Sequence, residues 1–176
     1  MGLVHIYCGD GKGKTSAAVG LAVRAAGCGK RVVIARFLKT DNSGEVEILK
    51  KIPEVTLIPC RKTFGFVRSM DEETKRECAA YHRELFGEAV KLAKNADLVV
   101  FDEIMAAVNY GMVPERDVLE FLENRPGRDQ TDGLEIVLTG RDPSEKLIAA
   151  ADYVSEICKR KHPFDRGIMA RRGVEY

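Results

Sequence analysis

The sequence predicts an α/β fold, a three-layer sandwich with a mostly parallel central sheet and helices on both faces. Three observations carry this. Short apolar runs alternate with helical patterns along the whole chain. The run Leu98–Phe101 is apolar on both faces, as a strand covered by helices on each side must be. A glycine-rich stretch, Gly9–Gly13, joins the first strand to the first helix.

Each element has its own signal. Leu3–Cys8 is a short apolar run that stops at the glycines, which suits a buried strand. Thr15–Ala26 is rich in Ala, Val and Leu and reads as a helix stopped at Gly27. Arg31–Phe37 is β-branched and predicts a second strand. Thr40–Gly44 reads as a loop, Glu45–Ile52 as a short helix ahead of Pro53, and Val55–Pro59 as a weaker third strand. From Asp71 to Asn95 apolar residues recur every three or four positions, and Ser69 with Glu72 offers a capping box. Asp97 leads into the strand Leu98–Phe101. Pro114 can open a helix with Val118, Leu119 and Leu122 on its apolar face, closed by Arg125-Pro126-Gly127. Gly127–Gly133 is a loop and Leu134–Leu138 a strand. Asp142-Pro143-Ser144-Glu145 predicts a helix start capped by Asp142, and Tyr153–Ile157 a last strand. No repeat or linker divides the chain, so residues 1–176 are expected to form one domain.

Composition excludes several function classes. The chain has 176 residues, 45% hydrophobic and 31% charged, with a formal charge of +1. A chain of this length buries enough surface to need no staple. The charge balance argues against an acidic tail and a bulk nucleic-acid binder. The apolar runs fall far short of the ~20 residues that span a bilayer, and no signal peptide is seen. The five cysteines are odd in number and form no C-x-x-C pair, so neither a disulfide framework nor a cysteine zinc site is expected. Reduced thiols without an export signal predict a cytoplasmic protein.

The chemistry concentrates at Gly9-Asp10-Gly11-Lys12-Gly13-Lys14-Thr15-Ser16. Glycines let backbone amides converge on phosphate oxygens, and a helix N-terminus adds partial positive charge. Lys14 can reach the terminal phosphates and the Thr15 hydroxyl a magnesium ion. The usual pattern has glycine where this chain has Cys8, with Gly9 one residue late. The strand ending Asp102-Glu103 supplies a second element: a carboxylate at such a position holds magnesium, directly or through water, and Glu103 can orient a water or contact the metal. Together these motifs predict nucleotide binding.

The rest of the chain resembles one family. Gly9–Ser16 (G-D-G-K-G-K-T-S) looks like the G-N-G-K-G-K-T-T loop of the ATP:corrinoid adenosyltransferases. Arg36-Phe37-Leu38-Lys39 resembles that family's Q-F-I-K, and Phe101–Ile104 its L-D-E-L/I. Leu138-Thr139-Gly140-Arg141 is similar to its I-T-G-R. Lys161–Gly167 and Gly173–Tyr176 are similar to its K-H-x-F-D-x-G and G-I-E/D-Y segments. The resemblance implies a RecA-like P-loop fold. It also implies transfer of the 5′-deoxyadenosyl group of ATP to the Co(I) of a reduced corrinoid, with the triphosphate leaving intact. ATP and the corrinoid are then co-substrates and magnesium the cofactor. The implied partners are an electron-donating flavoprotein and a second copy of the chain in a homodimer, with no nucleic acid and no membrane.

In this reading Lys14, Lys12 and Glu103 act in catalysis. Gly9, Asp10, Gly11, Lys12, Gly13, Lys14, Thr15, Ser16, Arg141 and His162 contact ATP, and Thr15, Asp102 and Glu103 hold magnesium. Phe66 and Arg68 face the corrinoid. Two departures stand out. The family's G-F-T-W is here Gly65-Phe66-Val67-Arg68, so Arg68 replaces a tryptophan that packs on the corrinoid's lower face. The chain also begins almost on its first strand, without the family's N-terminal arm, so any cover on the site is expected from another segment. For Phe66 a core position, for Arg141 a surface ion pair and for His162 a structural role stay open. Two rival functions stay open as well. One is a hydrolase or kinase in which Glu103 positions water or an acceptor hydroxyl. The other is a nucleotide-gated binding protein with a basic C-terminus.

Overall fold

The computed structural model describes residues 2–128 and 132–176. Among the described residues six strands form one sheet: β1 (Val4–Cys8), β2 (Val32–Arg36), β3 (Val55–Leu57), β4 (Leu98–Asp102), β5 (Glu135–Thr139) and β6 (Tyr153–Glu156). Their order is β3-β2-β4-β5-β1-β6, and every neighbouring pair is parallel. The expectation of a mostly parallel sheet thus sharpens to a wholly parallel one. The helices are α1 (Lys14–Gly27), α2 (Gly44–Leu49), α3 (Glu72–Ala93), α4 (Ile104–Asn109), α5 (Glu115–Glu123) and α6 (Glu145–Ala149).

The side-chain period of two along each strand sends alternate residues into two cores. Val32 and Ile34 of β2, with Leu98 and Val100 of β4, pack with Ala18, Ala22 and Ala26 of α1 and Leu49 of α2. Those alanines recur every fourth residue, so α1 lays a flat face on the sheet. Val33, Ala35, Val99 and Phe101 point the other way, into a larger core with Leu85, Phe86 and Ala89 of α3 and Phe121 of α5. Both faces of β2 and β4 are buried at every position, which is why their sequences show no polar alternation. The edge strand β6 is exposed throughout.

Three local expectations are corrected. Helix α1 runs through Gly27, and the left-handed glycine at its end is Gly29 (φ 75°). Ser69 and Glu72 form no capping box; the Asp71 carboxylate accepts from the Thr74 amide at 2.8 Å, because the chain is still in a 3₁₀ turn at Ser69. Ser144, not Asp142, caps α6 by accepting from the Leu147 amide at 3.2 Å, and Asp142 sits two residues earlier in a left-handed turn (φ 52°). Helix α4 had no counterpart in the sequence reading. The predicted loop Gly127–Gly133 contains residues 129–131, which lie outside the described residues.

Candidate functional site

A wholly parallel sheet brings all its strand C-termini to one edge, where α/β proteins place their ligands. Here β1 delivers the glycine loop, β2 the turn Phe37–Asp41, β4 Asp102 and Glu103, β5 Thr139 to Arg141, and β6 the segment at Ile157–Lys159.

The loop after β1 is moulded on main chain. Gly11 N donates to the Ile157 carbonyl at 2.7 Å. A Cβ on Gly9 would stand 2.5 Å from that same oxygen and one on Gly11 2.6 Å, while Gly9 also has φ 102°. No side chain fits at either position. Cys8 is buried as the last residue of β1, so the turn begins at Gly9. Gly13 precedes α1, whose first amides have no side-chain cap and remain open to an anion.

Lys14 is buried and its ammonium donates to the Gly11 carbonyl at 2.9 Å. Burial pushes its pKa down; Glu103 and Asp10 push it up, and Arg141 pushes it down. Arg141 therefore lies within electrostatic reach of the loop. Asn109 of α4 steadies its backbone, donating to the carbonyls of Arg141 (3.2 Å) and Asp142 (3.1 Å). The Asp10 carboxylate turns away and accepts from the Lys159 amide at 2.8 Å, which is the main reason its pKa is lowered. Lys12 pairs with Glu175 at 3.3 Å. The Arg171 guanidinium and amide, ahead of Lys12, bring Glu175 down to about 2. Thr15 and Ser16 line a cavity of about 940 Å³ shared with Lys39 and the C-terminal residues Gly173–Tyr176.

Asp102 is the buried hub of the edge, 2% exposed. Its Oδ1 accepts the hydroxyls of Thr15 (3.0 Å) and Thr139 (2.7 Å), and its Oδ2 accepts the Lys39 ammonium. Lys39 also donates to Thr15 Oγ1 at 2.8 Å. Glu103 takes a left-handed conformation (φ 61°), uncommon for a residue with a side chain. Its amide is held by Thr139 Oγ1 at 2.9 Å. The Glu103 carboxylate joins none of the Asp102 hydrogen bonds; its charge acts on Lys14. Among the described residues no three His, Cys, Asp or Glu side chains form a metal-holding group. The oxygen donors here are one carboxylate and two hydroxyls.

Lys39 is placed by a clamp. Arg36 ends β2 at 2% exposure. It donates to the Thr40 carbonyl at 2.9 Å and pairs with Asp41. Asp41 in turn accepts the Cys60 amide at 3.2 Å, and the Cys60 thiol donates to the Lys39 carbonyl at 3.2 Å. Leu38 makes the left-handed turn between them (φ 52°).

Phe66 is 88% exposed, which rules out the core position left open for it. Arg68 beside it is exposed as well. The loop is anchored by Phe64, which packs against Tyr81 and His82 of α3, and His82 packs in turn against Phe37. His162 Nδ1 accepts from the Phe164 amide at 3.2 Å and so caps the 3₁₀ turn Pro163–Arg166. The strand ends thus gather the loop, Asp102, Glu103 and Arg141; Phe66 and Arg68 stand on a separate loop. The sequence reading missed the parts played by Lys39, Thr139, Arg36 and Asn109. Arg36, Lys39 and Thr139 lie within the family-like segments, and that is their only signal.

The whole chain, residues 1–176, matches the family described as ATP:corrinoid adenosyltransferase BtuR/CobO/CobP. A corrinoid adenosyltransferase of Escherichia coli (strain K12) is 34% identical over 178 residues, covering 99% of this chain and 86% of the relative. Corrinoid adenosyltransferase CobA of Salmonella typhimurium is 34% identical over the same shares of both chains. A corrinoid adenosyltransferase of Pseudomonas aeruginosa is 31% identical, over 99% of this chain and 84% of its own.

Proposed function

The chain belongs to the ATP:corrinoid adenosyltransferase family, and from that premise we propose that it transfers the 5′-deoxyadenosyl group of ATP to the Co(I) of a reduced corrinoid. One observation supports this most: Lys14, Lys12, Arg141 and the uncapped amides of α1 surround a single loop, beside a cavity of about 940 Å³. Such a set can stabilise a polyanion that departs as a unit.

In the reaction a cobalt–carbon bond forms and the C5′–O bond breaks, with its electron pair leaving on the triphosphate. The nucleophile belongs to the substrate, so the protein's task is positioning and charge stabilisation. The amides from Gly9 to Ser16 hold the phosphates, apart from that of Gly11, which is bound to the Ile157 carbonyl. Lys14, within the loop, and Arg141, near enough to act on its charge, meet the growing negative charge. Lys12 takes part once it leaves Glu175. Glu103 opposes the effect of burial on Lys14 and favours its ammonium form. Oxygen donors of the Thr15 and Asp102 kind suit magnesium, which would add charge stabilisation at the phosphates. His162 reaches the nucleotide only through the turn that it caps.

Phe66 offers an exposed aromatic ring to the corrinoid's lower face, with Arg68 in place of a second ring. Co(I) is strongly reducing, so a low-potential flavoprotein is the proposed electron donor. No helix among the described residues is long and apolar enough to cross a membrane, and a cytoplasmic setting is proposed.

The test uses ATP labelled at the γ position, magnesium and a chemically reduced corrinoid. Labelled tripolyphosphate should appear together with the visible spectrum of a cobalt–carbon bond, and only with corrinoid present. Orthophosphate or ADP released at an equal rate without corrinoid would overturn the transferase reading in favour of a hydrolase.

A further inference from the structure

The Asp102 carboxylate and the Thr15 hydroxyl, the pair best suited to a divalent cation, already hold a cation of the protein's own. The Lys39 ammonium bonds to Thr15 Oγ1 at 2.8 Å and to Asp102 Oδ2, while Oδ1 takes two hydroxyl donors. The contact is built in. Register sets Arg36, the last residue of β2, beside Asp102, the last residue of β4. The Phe37 amide donates to the Asp102 carbonyl at 2.8 Å, and Leu38 turns left-handed to carry Lys39 back over the carboxylate. The Arg36–Asp41–Cys60 clamp then fixes the backbone on either side of that lysine. A buried carboxylate must be paired, and Lys39 is the pairing group.

We propose that Lys39 is the resident counter-ion of the magnesium position and couples metal binding to nucleotide binding. While the ammonium is in place, a divalent cation meets a carboxylate already neutralised and must displace a tethered charge. A polyphosphate in the adjoining cavity, which Lys39 lines, gives the ammonium another anion and frees the carboxylate. Metal and nucleotide therefore bind cooperatively, and by linkage each raises the other's affinity by the same factor. The role rests on the phosphate-site assignment above and makes Lys39 a positioning residue for the reaction.

The test reads binding, not turnover. Free Mn²⁺ is followed by electron paramagnetic resonance as it is titrated into the protein, with and without ATP. Wild type should bind Mn²⁺ weakly alone and far more tightly with ATP. Lys39→Met and Lys39→Gln should each bind Mn²⁺ about tenfold or more tighter without ATP, since a like charge near the site is removed. The ATP-dependent gain should shrink in both. Lys39→Arg keeps a cation and should keep weak binding, and Asp102→Asn should remove binding in every background. Two neutral variants guard against one misfolding, and a thermal melt checks each. Unchanged or weaker Mn²⁺ binding in the folded neutral variants overturns the proposal. A wrong transferase assignment would show instead in the tripolyphosphate assay, with the Mn²⁺ titrations unaltered.

Discussion

Two stretches at the same edge of the sheet are built on opposite plans. Around Asp102 every polar partner is engaged: Thr15, Thr139 and Lys39 converge on one carboxylate, and Thr139 also holds the Glu103 amide. The stretch from Arg61 to Met70 is held at separated points, through Phe64 against α3 and Met70 in the core, and carries Phe66 88% exposed between them. The first region is preorganised by short bonds from strand ends. The second presents one exposed phenyl ring, with the exposed Arg68 beside it. The difference fits a charged ligand that exchanges partners within an existing network and an apolar one that meets an exposed ring.

The comparison breaks most sharply at Lys14. Lys14→Ala should cost about 2–4 kcal/mol of transition-state stabilisation, a hundredfold or so in kcat/KM, read as the rate of tripolyphosphate release. Full activity in a folded Lys14→Ala protein would make the preorganised plan irrelevant to catalysis.

Acid probes the joint between the two regions. His82 lies between Phe64 and Phe37, 3% exposed, with no partner for its Nδ1 among the described residues, and burial brings its pKa down to about 4. Below its ordinary value the unfolded chain takes up a proton that the folded one refuses. Its contribution is thus complete above about pH 6.5 and is lost as pH falls toward 4, by up to about 3 kcal/mol. Denaturant midpoints across that range should show the slope in wild type and a shallower one in His82→Leu.

Thr139→Val keeps the shape of a fully buried side chain but removes the hydroxyl that serves Asp102 and Glu103. A loss of about 1–3 kcal/mol in stability is expected, measured by chemical denaturation. Stability equal to wild type would mean that the two groups find other partners.

The smallest stability effect belongs to the other region. Phe66→Ala should shift folding by no more than about 0.5 kcal/mol, as surface changes do, while raising the corrinoid KM and leaving the ATP KM unchanged. Equal changes in both KM values would dissolve the contrast between the regions.

Much of this was legible in one sequence because local rules governed it. Leu98–Phe101 announced a doubly covered strand, and Gly9–Thr15 a phosphate loop. Helix α4 escaped notice because it is six residues long and opens at Glu103, a left-handed residue with no capping side-chain bond. Lys39 and Thr139 escaped for a different reason. Nothing near Lys39 in sequence hints at Asp102; the two meet only because β2 pairs with β4, and sequence patterns do not reveal strand order. Asp142 misled because it has a capping chemistry in a turn that comes two residues too early.

The seat of the glycine loop has an evolutionary reading. The loop rests on the carbonyl of Ile157, not on its side chain. A support of that kind is indifferent to which residue supplies it, since every residue brings the same oxygen. Positions 157 and 158 are thus free to drift among residues that keep the backbone path, while Gly9 and Gly11 are not. In a saturation library selected for activity, heritable constraint would fall on one partner of the contact and almost none on the other, though the two touch.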